Sequence, residues 1–249
     1  MPDLPLKLVI TTAANTPPAA RDCELDVLSS WYGDTPELIE SAYGPYEEQT
    51  AFLSVGSPDG TVLGACRLIV PGPLPPKTVS DIAAEPWHVD AGTSLRLAGI
   101  DPHRTWDIAT IAVRRERGAT GRMVAAALYY GLIHATRVNE IPWVVAIIDR
   151  HPRSLLAMLG LPLTALPGTA SASYMGSHAC TPVWAHVPSV VEQQRLTNPE
   201  GHRLISRGHG LSDVQLPDPL RLRLPSPSIP AAPRRPLDLR QPHAAIRAR

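Results

Sequence analysis

The stretch Thr105 to Arg122, TWDIATIAVRRERGATGR, gathers the residues best suited to chemistry on one short piece of chain. It reads as a β-strand ending at Val113, a basic glycine-containing turn, and a long helix entered at about Gly121. A helix N-terminus leaves backbone N–H groups without partners, so Arg114, Arg115 and Arg122, with Gly118 and Gly121 easing the turn, outline an anion site. A solvated turn that is merely basic is the plain alternative. Asp107, upstream on the same strand, is a carboxylate near this turn, and pairing with Arg104 is its structural alternative. Arg67, on an earlier strand, reads by itself as a strand residue with its head in water. His134 lies beside an apolar helical stripe and reads as a core-edge residue. His151-Pro152 follows the next strand, where it either faces a bound ligand or starts a helix. Neither the other histidines nor Cys23, Cys66 and Cys180 have metal-ligand spacing, so no metal is expected.

The chain that must position these groups has 249 residues and no net charge, with 44% apolar residues, enough to bury a full core. Charge is unevenly placed. Residues 195–249 hold ten Arg against four acids, leaving the remainder mildly acidic, which argues against a nucleic-acid-binding surface. Few, odd-numbered cysteines fit a reduced intracellular protein. The N-terminus MPDLPLKLVI lacks the pattern of a signal peptide, and no apolar run is long enough to cross a membrane, so a cytoplasmic protein is expected.

Leu6 to Thr11 reads as a strand and Ala19 to Trp31 as an amphipathic helix. Tyr32 to Tyr46 has no clear period and reads as a loop. Ala51–Val55 and Gly60–Val70, joined by GSPDG, form an antiparallel hairpin, since Asp-Gly is a strong hairpin signal; PGPLPP stops the second strand. Lys77 to Asp101 looks irregular apart from a short helix near Val79–Ala84. Then come the strand Thr105–Val113, a helix over Met123–Asn139, the apolar strand Trp143–Ile148 and a helix over Arg153–Leu159. Strands at Leu163–Leu166 and Thr181–Val187 and a helix from Pro188 to about Leu196 complete the series. This order gives an α+β fold, a mixed and mostly antiparallel sheet flanked by helices around a central βαβ unit. Residues 1–196 form the domain, and the proline- and arginine-rich residues 197–249 a flexible tail.

This arrangement resembles the GNAT-type acyl-CoA N-acyltransferases, whose Q/R-x-x-G-x-G/A turn wraps the pyrophosphate of the acyl carrier. A closer resemblance is to the acyl-homoserine-lactone (autoinducer) synthases and the N-acyl amino acid synthases. Arg21, Leu25 and Trp31 keep the spacing of that family's R-x3-F-x5-W helix, with Leu for the aromatic. Gly64-Ala65-Cys66-Arg67-Leu68-Ile69-Val70-Pro71 is similar to its G-x-x-R-L-L-P strand. Asp107-Ile108-Ala109-Thr110 stands for its E-x-S-R, keeping the acid but not the arginine. In the helix before Gly160-Leu161, Leu156 stands where typical GNAT enzymes have a tyrosine, a loss that the autoinducer synthases share. Glu47 and Glu48 lie near the family's acidic pair without its D-x-x-D pattern.

The resemblance implies a GNAT-like fold and transfer of an acyl group from acyl-CoA or acyl carrier protein to a small amine, an amino acid or related metabolite. Loss of the arginine and of D-x-x-D weighs against S-adenosylmethionine as the acceptor. An amine must be neutral to attack a thioester, so a carboxylate has to receive a proton, the role implied for Asp107. Backbone N–H groups where the central strands splay would hold the thioester carbonyl. Arg21, Trp31 and Arg67 are the implied substrate contacts, and Val113, Arg114, Arg115, Gly118, Gly121 and Arg122 the carrier contacts. Two other readings fit: a non-catalytic acyl-CoA-binding regulatory member, and an interaction protein whose basic tail meets an acidic partner or membrane surface.

Overall fold

A computed structural model of the chain describes residues 5–115 and 120–225. Strand β1 (Leu6–Thr12) leads through a 3-10 turn into helix α1 (Pro18–Tyr32), which stops where Gly33 takes φ 73°. The stretch expected to be a loop holds helix α2 (Pro36–Tyr43), capped by the Thr35 side chain and started by Pro36. Strands β2 (Thr50–Gly56) and β3 (Val62–Ile69) form the expected hairpin, its turn tied by the Asp59 carboxylate accepting from the Thr61 amide at 2.9 Å.

Lys77 to Asp101 is more ordered than its aperiodic sequence suggests. It carries α3 (Lys77–Ile82) and α4 (Ala91–Ala98), the latter capped by Asp90 and closed by Gly99 in the left-handed region. Both helices are too short to show a period. They are held by burying Val79, Ile82, Leu95 and Ile100 against Val145 and Leu166.

The central βαβ unit follows as β4 (Thr105–Val113), α5 (Thr120–Val138) and β5 (Trp143–Asp149). Helix α6 (Arg150–Met158) starts three residues earlier than expected, because Asp149 caps it. Then come β6 (Thr164–Ala165), the unforeseen β7 (Ala172–Tyr174), β8 (Ser177–His186) and α7 (Val187–Thr197).

The strands form one sheet in the order β6, β8, β5, β4, β3, β2, β1, with β7 beside β8. Within this series all neighbours are antiparallel except β4 and β5. Helix α5 covers one face, and α1 to α4 lie on the other. Gly64 allows the close approach of α5 to β3, since a Cβ there would lie 2.4 Å from Val124 Cγ1. No described helix is long and apolar enough to cross a membrane.

The expectation that the chain is a flexible tail from residue 197 is corrected as far as Pro225. Asn198 and Pro199 open helix α8 (Pro199–Arg207), and β9 (Val214–Gln215) adds to β1 in parallel. Composition concealed this, because apolar residues are sparse here, yet Ile205, Leu211, Val214 and Leu222 are buried in the main core. Residues 226–249 lie outside the described residues. Ile205, with no exposed surface, is therefore a core residue, and Ile205→Ala should lower the unfolding free energy by about 2–5 kcal/mol. Urea denaturation reads this, and a loss within error of zero would contradict the packing of α8.

Candidate functional site

Two irregularities in β4 create the site. Only Thr105–Asp107 pair with Trp143–Val145, so from Ile108 and Ala146 onward the parallel strands are no longer bonded to each other. Amides that face this gap have no ladder partner across it. On the other edge, Arg67 pairs with Thr110 but Leu68 with Ile108, leaving Ala109 as a bulge. In a regular strand Asp107 and Thr110, three residues apart, would face opposite sides. The extra residue turns both toward α1 and α3.

On that face lies a buried polar cluster around Tyr43. Arg67, only 3% exposed, sets its Nε 2.9 Å from Oε1 of Glu24 on α1, and its Nη2 also donates to that carboxylate. The Thr110 hydroxyl donates to the same Glu24 oxygen. The Arg67 guanidinium is 4.8 Å from the ring centres of both Tyr43 and Phe52. Lys77 Nζ, 5.2 Å from the Tyr43 ring, donates to Asp81 and to the Tyr174 hydroxyl, each at 2.6 Å, and Tyr174 donates in turn to Asp81.

Asp107, 1% exposed, is the remaining member. Its carboxylate accepts from the Thr78 amide and, at 3.0 Å, from the Thr78 hydroxyl. Arg67 and Lys77 each have a carboxylate of their own, whereas Asp107 has only neutral donors. Burial therefore pushes its carboxyl up to about 7, despite the Thr78 bonds and the charge of Lys77; Asp81 adds to the rise. Burial also drives the Tyr43 phenol far above its ordinary range, with Glu24 adding to the shift.

The residues singled out in the sequence fall into two groups. Arg21 joins Arg67: it pairs with Glu47, lies 5.2 Å from the Phe52 ring centre, and Glu47 is 3.9 Å from Arg67 Nη1. Trp31 is not with them. It is 55% exposed, and the Arg115 guanidinium lies 4.6 Å over its ring, beside the turn. Val113 pairs with Gly64, and the Arg114 amide extends that ladder to Leu63 O at 2.9 Å. The Arg114 side chain reaches Asp26 at 2.7 Å, but its Nε is buried with no partner among the described residues. Gly121 and Arg122 lie in the first turn of α5, Arg122 exposed; Gly118 lies outside the described residues.

Glu24, Tyr43, Lys77 and Thr78 were not anticipated. Glu24 had one readable signal, since it sits three residues after Arg21 and so beside it on the helix surface. His134 meets the carbonyl of Ser206 at 3.1 Å, and the His151 amide completes the Asp149 cap that starts α6.

Behind the β4–β5 gap, on the α5 face, is a cavity of about 90 Å³ lined almost wholly by apolar side chains, among them Ile108, Ile111, Tyr129, Ala146 and Leu156. Burial pushes the Tyr129 phenol up to about 12, so it stays neutral in this wall. The site thus combines an apolar chamber, a gap with unpaired amides, and a proton acceptor near neutrality.

No protein-family model and no curated protein sequence matches the chain. Solved structures do. The N-acyl amino acid synthase FeeM from uncultured soil microbes matches with a TM-score of 0.53 at 13% identity, covering 76% of this chain and 94% of that one. The CoA-dependent acyl-homoserine lactone synthase BjaI, solved with MTA, matches with a TM-score of 0.54 at 16% identity, covering 88% and 96%. Its structure with SAM and isopentyl-CoA gives 0.52. The chain therefore shares its fold with these synthases.

Two measurements check the cluster. Glu24→Gln leaves the buried Arg67 with only the more distant, exposed Glu47 at 3.9 Å and should cost about 3–5 kcal/mol in urea denaturation, an unchanged midpoint counting against the pair. The folded chain keeps the Asp107 proton up to about pH 7, whereas an unfolded chain releases it near 3.9. Folding takes up a proton in that window, so stability should fall as pH rises from about 4 to about 7. Thermal unfolding of wild type should show this decline relative to Asp107→Asn; parallel curves would contradict it.

Proposed function

We propose that the chain is an N-acyltransferase that moves an acyl group from acyl-CoA or acyl carrier protein to a small amine, an amino acid or related metabolite. The observation that carries this reading is the place of Asp107: a carboxyl held near neutrality at the last bonded pair of β4 and β5, where the strands part in front of an apolar chamber. The fold shared with FeeM and BjaI supports it, and the BjaI complex with isopentyl-CoA supports a thioester donor.

In this reading the donor's pantetheine arm runs along the gap and its acyl chain enters the chamber. Arg115, Arg122 and the N-terminal amides of α5 meet the pyrophosphate, with Arg114 and its unpaired Nε beside them. Trp31 carries Arg115 on its ring and so belongs to the carrier side. Arg21 and Arg67 remain on the acceptor side, where Glu24 and Glu47 already neutralise them. They shape and orient the acceptor pocket, and neither is left free to take an acceptor's carboxylate.

The neutral amine attacks the thioester carbon, and unpaired amides along the gap stabilise the oxyanion. The nitrogen gives up a proton, the carbon–sulfur bond breaks, and the carrier leaves as its thiol. Asp107 is the acceptor of that proton. Thr78 encloses it, and the Thr78 hydroxyl can relay the proton, its oxygen accepting it from the amine as its own hydrogen passes to the carboxylate to which it already donates.

Mixing the protein with acyl-CoA and a panel of amines should release free thiol only when an accepted amine is present. Asp107→Asn should lower kcat/KM by about 10²- to 10⁴-fold at pH 8 while CoA still raises the melting temperature. In the wild type the rate should climb with pH to a plateau above about 7, as Asp107 loses its proton. Donor binding without turnover across a broad amine panel would favour the non-catalytic reading.

A further inference from the structure

The apolar chamber borders a second space. A second cavity of about 420 Å³ adjoins it at the C-terminal end of α5, and Ile133, Thr136, Val187 and Val191 line both. Beyond these four the lining changes character. Arg104, Arg137, Arg207, His134 and His202 surround the outer space, with Glu140 as the only acid in the wall among the described residues. Among the described residues none of the three arginines has a carboxylate within 4 Å. Arg207 and His202 come from α8, in the stretch expected to be tail.

We propose that this opening is a second, cationic mouth of the acyl chamber and that it recognises an anionic group at the far end of the acyl chain, so that donors ending in a carboxylate are preferred. The inference rests on the acyltransferase reading and adds the class of donor.

The chemistry follows from the change in lining. A chain whose thioester sits at the β4–β5 gap passes Ile108 and Ala146, runs under α5 and reaches the mouth. Tyr129 lines the inner cavity and Arg137 the outer. At the rise of an α-helix they are about 12 Å apart along α5, the reach of a hydrocarbon of roughly ten carbons. A terminal methyl arriving there meets charge and water and gains nothing from either. A terminal carboxylate gains charge-assisted hydrogen bonds from guanidinium groups that no other carboxylate occupies. Shorter chains stay inside the apolar section and feel no such selection.

Calorimetric titration with two unreactive CoA thioethers tests this, one bearing a dodecyl chain and the other an 11-carboxyundecyl chain. The carboxylate form should bind about tenfold tighter, the size of one charge-assisted hydrogen bond. Arg137 and Arg207 are exposed, so the double variant Arg137→Gln, Arg207→Gln should fold normally. It should bring the ratio to about one while leaving the affinity of the dodecyl form unchanged. Equal affinities in the wild type, or a ratio that survives the double substitution, would overturn the second mouth and leave the donor reading standing. Failure of both thioethers to bind would overturn the mouth together with that reading.

Discussion

The site depends on an imbalance of charge inside the protein. Around Tyr43 two buried cations, Arg67 and Lys77, are matched by Glu24 and Asp81, and Asp107 is a third carboxylate with no cation of its own. Burying an uncompensated charge is costly, so the group keeps its proton to about pH 7. A cation placed beside Asp107 would stabilise the fold and leave a carboxylate too weakly basic to act near neutral pH. The two matched pairs serve the same end. They hold the surrounding side chains in place, the charge of Lys77 only partly offsets the effect of burial on Asp107, and the aromatic rings of Tyr43 and Phe52 keep them packed.

Strand β4 connects this imbalance to the rest of the molecule. Its bulge at Ala109 turns Asp107 and Thr110 to one face, and its early parting from β5 opens the sheet at the same level. Ile108 and Ile111 point to the opposite face and line the apolar chamber. One strand therefore presents a proton acceptor on one side and a hydrocarbon pocket on the other, with unpaired amides between them. Helix α5 closes the chamber, and Gly64 lets it approach β3 closely.

Much of this was legible in the sequence. The hairpin, the βαβ unit and the overall class follow from Asp-Gly punctuation and from two unambiguous periods, and Asp107 and Arg67 stood out through the resemblance of their strands to the synthase motifs. The bulge left no mark, since Ile108, Ala109 and Thr110 read equally well as a regular strand. The partners of the conspicuous residues were also hidden. Thr78 and Lys77 sit on a helix of one and a half turns, too short to show periodicity, and Glu24 looks like any solvated acid until the Arg67 guanidinium is seen against it. Helix α8 was masked by composition, because a segment rich in proline and arginine can still fold when several of its few apolar residues, here Ile205, Leu211, Val214 and Leu222, are buried. Asn198-Pro199-Glu200 was a readable helix start, outweighed by the prolines that follow it.

The central claim is that a thioester donor lies in the gap between β4 and β5, with Asp107 on one side and the chamber on the other. A crystal structure with an unreactive acyl-CoA thioether tests it most directly. The sulfur should lie between Ile108 and Ala146, the alkyl chain in the chamber beneath α5, and the diphosphate at Arg115 and the first turn of α5. A bound thioether found elsewhere, with the gap and chamber empty, would contradict the claim.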